Sequence, residues 1–162
     1  MIQSWDLLNT TVYERYVASG DMNTAAIPDL EEILDYSRRS GAERGGISPV
    51  DVLIYVGVTD VVCNPDGVLE ALRLADWEGK MDFRGKPWME LPWLSSSGNR
   101  AGRVKAVPNL WFVEVEEAGH MVPFEQPLVA LSLMKQWLGH LDQTREAADP
   151  TMAATDQVIM TK

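Results

Sequence analysis

An aspartate and a histidine occupy the two places in this chain where acid–base chemistry is simplest to build. Asp60 lies just past the run Val50-Asp51-Val52-Leu53-Ile54-Tyr55-Val56-Gly57. His120 lies in Glu116-Glu117-Ala118-Gly119-His120-Met121-Val122-Pro123, which follows Leu110-Trp111-Phe112-Val113-Glu114-Val115. In open α/β sheets, function gathers in the loops beyond the carboxyl ends of the strands. A carboxylate and an imidazole on two such loops can act together. The acid holds the ring in one tautomer and stabilises the imidazolium, while the ring takes a proton from a nucleophilic hydroxyl. Taken singly, Asp60 reads equally as a turn acid before Asn64, His120 as a structural ring, Cys63 as a small buried hydrophobe and Met121 as core filler. His140, at a helix end, reads as a complement to the helix dipole. The hydroxyl is missing: no Gly-x-Ser-x-Gly surrounds any serine of the chain.

Positioning such a pair takes strands that end beside each other and helices that cover them. The first run is short, rich in β-branched and aromatic residues and bounded by turn residues, as buried strands of a parallel sheet are, and the second run reads as another strand. Asn64-Pro65-Asp66 supplies a cap, an early proline and a first-turn acid, and Val68, Leu69 and Leu72 give the helix that follows its apolar stripe. After the second strand, Leu128, Leu131, Met134, Trp137, Leu138 and Leu141 recur at helical spacing. The chain therefore contains two strand–loop–helix units. Ahead of them, Ser4 to Gly41 reads as helical: a short helix through Thr11-Val17 closed by Gly20, then a second opening at Ile27-Pro28-Asp29. Residues 41–49 read as a glycine-rich loop, 76–106 as ribbon and loop with tryptophans for packing, and 142–162 as a polar, disordered tail. The implied division is 1–49 helical segment and loop, 50–141 the α/β part, and 142–162 tail.

Composition narrows the function classes. With 162 residues, 46% apolar and 23% charged, the chain has the makeup of one globular domain. Net charge −10 argues against nucleic acid and anionic membrane surfaces as partners. One cysteine and two histidines exclude a zinc finger, an iron–sulfur cluster and an intrachain disulfide, so neither metal nor cofactor is expected. No apolar stretch reaches the roughly 18 residues a membrane span needs, and residues 1–6 lack the pattern of a signal peptide.

Two ordered motifs carry a resemblance. Tyr55-Val56-Gly57-Val58-Thr59-Asp60-Val61-Val62-Cys63-Asn64, followed by Ala118-Gly119-His120-Met121-Val122-Pro123-Phe124-Glu125-Gln126-Pro127, resembles the serine carboxypeptidase family over roughly Val12 to Leu141. The resemblance implies the C-terminal part of an α/β-hydrolase with an incomplete sheet, the first helices belonging to a cap. It makes Asp60 the triad acid and His120 the general base. Cys63 would face the substrate pocket, Asn64 would close the loop beside it, and Met121 would line the leaving-group pocket. The family's usual Gly-Asp-x-Asp is here Gly57-Val58-Thr59-Asp60, so valine replaces the first acid. The order nucleophile, acid, histidine of such hydrolases places the serine upstream. The expectation is therefore a C-terminal segment that releases C-terminal residues from peptides with a serine supplied by upstream sequence or a companion chain. It would work in a vacuolar, lysosomal or secreted setting, to which the Asn9-Thr10-Thr11 sequon would add glycosylation. A same-family acyltransferase, a hydroxynitrile lyase and a non-catalytic homologue are the alternatives.

Overall fold

The computed structural model describes residues 9–39 and 49–148. Its elements run α1 (Thr10–Ser19), a 3₁₀ turn (Asp21–Asn23), α2 (Ile27–Arg38), β1 (Val52–Gly57), α3 (Pro65–Leu74), α4 (Lys80–Gly85), β2 (Met89–Glu90), β3 (Gly102–Val107), β4 (Leu110–Val115), α5 (Val122–Glu125) and α6 (Pro127–Ala148). Helix ends follow local chemistry. Asn9 Oδ1 accepts the N–H of Val12 to start α1, and Gly20 closes that helix in the left-handed region at φ 85°. Asn64 Oδ1 accepts the N–H of Gly67 at 2.7 Å to start α3, with Pro65 in its first turn.

The strands form one sheet in the order β1-β4-β3-β2. β1 runs parallel to β4 from Val52↔Leu110 to Gly57↔Val115, whereas β3 and β2 are antiparallel to their neighbours. Side chains alternate across the sheet. On one face Val56, Leu110 and Phe112 pack with Leu34, Leu72, Trp77 and Phe83 of the α2–α4 layer. On the other, Val104, Val113 and Val115 pack with Val122, Val129 and Leu133 of α5 and α6. The sheet is thus sandwiched between helices, and Asn109 Nδ2, bonded to the Leu34 carbonyl at 2.8 Å, ties the β3–β4 turn to α2.

Several expectations need correcting. The ribbon expected within 76–106 is present as the antiparallel β2–β3 pair, but the stretch also holds helix α4, and the ribbon joins the main sheet, which has four strands rather than two. Arg103 and Lys105 hide β3 in the sequence. Arg103 lies 4.2 Å over the Trp88 ring and bonds Glu114 at 2.5 Å, while buried Lys105 extends its ammonium to the carbonyls of Phe83, Arg84 and Lys86 around the end of α4. Each polar head finds partners while its aliphatic stem packs. β1 is parallel as expected, but it is an edge strand among the described residues, so Val52–Tyr55 remain partly exposed. α6 continues to Ala148, which places His140 inside the helix rather than at its end; its ring lies 5.1 Å from that of Trp111. Residues 1–8, most of the 41–49 loop and 149–162 lie outside the described residues. No helix among the described residues is long and apolar enough to cross a membrane.

Candidate active site

Because β1 and β4 are parallel neighbours, their carboxyl ends open side by side, and the two loops leaving them are stitched together at once. Val58 N–H donates to the Val115 carbonyl (2.9 Å), and Thr59 donates both its N–H (3.0 Å) and its hydroxyl (2.9 Å) to the Ala118 carbonyl. This close approach requires glycine at the end of β1. A Cβ on Gly57 would lie 2.2 Å from the Gly119 carbonyl oxygen and 2.3 Å from that of Ala118. The Gly in the first motif is therefore a packing requirement of the loop that carries the histidine.

Beyond this seam the chain turns back, with Asp60 N–H donating to the Gly57 carbonyl at 3.1 Å. Asp60 Oδ1 accepts the N–H groups of Val62 (2.8 Å) and Cys63 (3.0 Å), an aspartate turn that fixes the carboxylate. Its other oxygen, Oδ2, accepts from His120 Nδ1 at 2.9 Å. The Asp60 side chain is 5% exposed and that of His120 64% exposed. A buried acid thus orients a ring open to the surroundings. The His120 hydrogen bond, helped by the Cys63 and Val62 N–H groups, holds the Asp60 carboxyl below the ordinary carboxylate range against the opposing effect of burial. With the Nδ1 proton committed to a carboxylate, Nε2 is the nitrogen left to accept a proton.

The other expected residues surround this pair. Cys63 is exposed on the Asp60 loop and lines an open, mainly apolar cleft of about 410 Å³ with Ile27, Leu30, Ile54, Val62 and Val68. Asn64 borders the same cleft, but its side-chain oxygen is occupied in capping α3. Met121 is 61% exposed, directly after His120. Asp60, Cys63 and His120 present donor atoms all within 4.8 Å of one another, the kind of group that could hold a metal ion, although both oxygens of Asp60 are already engaged in protein hydrogen bonds.

Sequence reasoning overlooked the residues that secure the histidine loop. Glu125 Oε2 accepts the N–H of Gly119 at 2.6 Å, and Thr59 binds Ala118 as described. Glu117 and the buried Gln126 anchor the loop to a turn at residues 95–99. Glu117, Glu125 and Gln126 stand within six residues of His120 and look like ordinary solvated side chains in the sequence. Only the Ser95-Ser96-Ser97-Gly98-Asn99 run, dense in short hydrogen-bonding groups, hinted at a structured turn.

Comparison with known proteins identifies the family. The family model described as serine carboxypeptidase matches residues 2–140. The chain is 38% identical over 137 residues to carboxypeptidase Y homolog A of Chaetomium globosum, covering 85% of this chain and 22% of that protein. It is 36% identical over 89 residues to serine carboxypeptidase-like 49 of Arabidopsis thaliana, covering 55% of this chain and 17% of that protein. The crystal structure of Kex1(delta)p, a prohormone-processing carboxypeptidase from Saccharomyces cerevisiae, superposes with a TM-score of 0.50 at 27% identity, over 70% of this chain and 22% of that one. The chain thus spans less than a quarter of the length of these relatives, and its four-stranded mixed sheet is part of an α/β-hydrolase fold. Matched along nearly its whole α/β part, with paired loops meeting at Asp60 and His120, the chain belongs to the serine carboxypeptidase family.

Proposed function

We propose that this chain supplies the acid and the general base of a serine-type carboxypeptidase, and that the nucleophilic serine comes from polypeptide outside it. The observation that carries this reading is the 2.9 Å contact between His120 Nδ1 and Asp60 Oδ2, made by loops at the carboxyl ends of adjacent parallel strands. In the reaction, Nε2 of His120 takes the serine proton as the hydroxyl oxygen attacks the last peptide carbonyl. It returns that proton to the departing amine, and the acyl-enzyme is then hydrolysed by water activated at the same nitrogen. Asp60 stays ionised and stabilises the imidazolium. Its lowered pKa keeps it charged in mildly acidic surroundings, which suits a vacuolar, lysosomal or secreted setting. Cys63 and its apolar cleft would border the substrate, with Met121 on the leaving-group side of the histidine.

The test is labelling by a phosphonofluoridate, which captures a serine only when a base activates it. The chain is co-expressed with the part of the Chaetomium globosum relative that it does not match. Labelling of the partner's serine that falls by about three orders of magnitude or more in His120→Ala supports the reading. Equal labelling with and without His120 overturns it. Failure to label in any pairing favours a non-catalytic homologue.

A further inference from the structure

His120 is a largely exposed ring on a short loop, yet it must keep Nδ1 turned to Asp60. Restraints on that loop other than the Asp60 contact therefore matter. One of them begins three residues earlier. Glu117 is the sole non-glycine residue with positive φ among the described residues, at 54°. This left-handed step sets the direction of the chain as it leaves β4, because any rotation there swings every following peptide. The Ala118 carbonyl comes next, and Thr59 holds it.

The Glu117 carboxylate is saturated with donors. The Ser97 hydroxyl lies 2.5 and 2.7 Å from its two oxygens, Asn99 Nδ2 lies 2.8 Å from Oε1, and Gln126 Nε2 lies 3.4 Å from Oε2. Gln126 is 3% exposed and stands on the far side of the histidine. Its amide nitrogen also donates to the Glu117 carbonyl at 3.3 Å, while its oxygen accepts the N–H (3.0 Å) and hydroxyl (2.9 Å) of Ser96. The side-chain amide is thus fully used. Both ends of the histidine loop are consequently tied to one turn, residues 95–99, which is closed by the Leu94–Arg100 bridge and by the Ser95 N–H on the Asn99 carbonyl at 2.7 Å.

We propose that Glu117 and Gln126 are positioning residues. Through the 95–99 turn they fix the loop so that His120 presents Nδ1 to Asp60 and keeps Nε2 bare. An ionised carboxylate is the side chain that suits the place, since every group facing it is a donor. Glutamine would set its own NH₂ against those of Asn99 and Gln126. Glycine would keep the left-handed backbone without strain but lose the clamp. The two variants therefore separate the clamp from the backbone conformation.

This inference rests on the proposed role of His120 only for its consequence in turnover, and it can be read on the chain alone. With ¹⁵N-histidine label, long-range proton–nitrogen correlations show which ring nitrogen of neutral His120 carries the proton. The wild-type chain is expected to show a single tautomer, protonated at Nδ1. Glu117→Gln, Glu117→Gly and Gln126→Ala are each expected to lose that pattern to a mixture of both tautomers, with the far-UV spectrum retained. Arg100→Ala breaks the neighbouring ion pairs to Glu90 and Glu116 and is expected to leave the pattern intact. Should the Glu117 variants fail to fold, the double change Ser97→Ala with Asn99→Ala removes the same donors from the turn. An unchanged single tautomer in folded clamp variants, even with a lower melting temperature, overturns the proposal and leaves the network a purely structural role. Loss of the tautomer alongside failed serine labelling would sink the proposed function while leaving this positioning intact.

Discussion

Adding a single methyl group at Gly57 should separate the two loops. Its Cβ would sit 2.2 Å from the Gly119 carbonyl oxygen and 2.3 Å from that of Ala118, where ordinary van der Waals contact begins at 3.4 Å. Both obstacles are backbone atoms, so no side chain can swing aside, and the histidine loop must retreat by about 1 Å. A retreat of that size takes the Ala118 carbonyl out of reach of the Thr59 N–H and hydroxyl, now at 3.0 and 2.9 Å. Two lost hydrogen bonds at about 1 kcal/mol each, with overpacking of about 1–3 kcal/mol, give a cost of roughly 3–5 kcal/mol. For a chain of this length that corresponds to a melting temperature lower by about 6–20 °C. Thermal denaturation followed by circular dichroism measures it, and amide shifts of Thr59, Asp60 and His120 show whether the damage is local. A Gly57→Ala chain melting within about 2 °C of wild type, with those amides unmoved, would refute the claim that the strand-end glycine sets the loop spacing.

Gly139 offers the opposite case: a Cβ there meets nothing within 4 Å inside α6, so Gly139→Ala should stabilise by about 0.5–1 kcal/mol in urea unfolding. Phe112 is fully buried between the sheet and the α2–α4 layer, and Phe112→Ala should cost about 3–5 kcal/mol in the same assay. The Asp60 and Glu117 carboxyls are both lowered, so the folded chain binds their protons less readily than the unfolded chain. Their stabilisation is complete above the ordinary carboxylate range and is lost as pH falls through it to the folded values. Melting temperature should therefore fall as the solution is acidified through and below the ordinary carboxylate range, and Asp60→Asn should flatten part of that slope. A slope identical in Asp60→Asn would show that the Asp60 carboxylate contributes nothing to acid stability.

The two strand–loop–helix units were legible because their signals are local. Val52–Gly57 and Leu110–Val115 are apolar runs bounded by turn residues, and Asn64-Pro65-Asp66 announces its helix by capping chemistry. Asp60 and His120 could be named because a strand end followed by an ionisable residue is a local pattern, and two motifs in order bore the family resemblance. β3 escaped because its charged residues find long-range partners: Lys105 reaches carbonyls about twenty positions earlier and Arg103 stacks on Trp88. The clamp escaped for the same reason, since Glu117 meets residues 97 and 99 only once β3 and β4 have formed their hairpin. Sequence spacing places strands; the partners of a buried polar head emerge only when the sheet is assembled.

The most direct measurement is turnover of a blocked dipeptide by the complex of this chain with the unmatched remainder of the Chaetomium globosum relative, comparing wild type with His120→Ala. The wild-type complex is expected to release C-terminal residues, and kcat/KM to drop by about 10⁶ without His120, with assembly of the complex unchanged. Release that continues at the wild-type rate in His120→Ala would contradict the assignment of His120 and Asp60 as the base and acid of this family member.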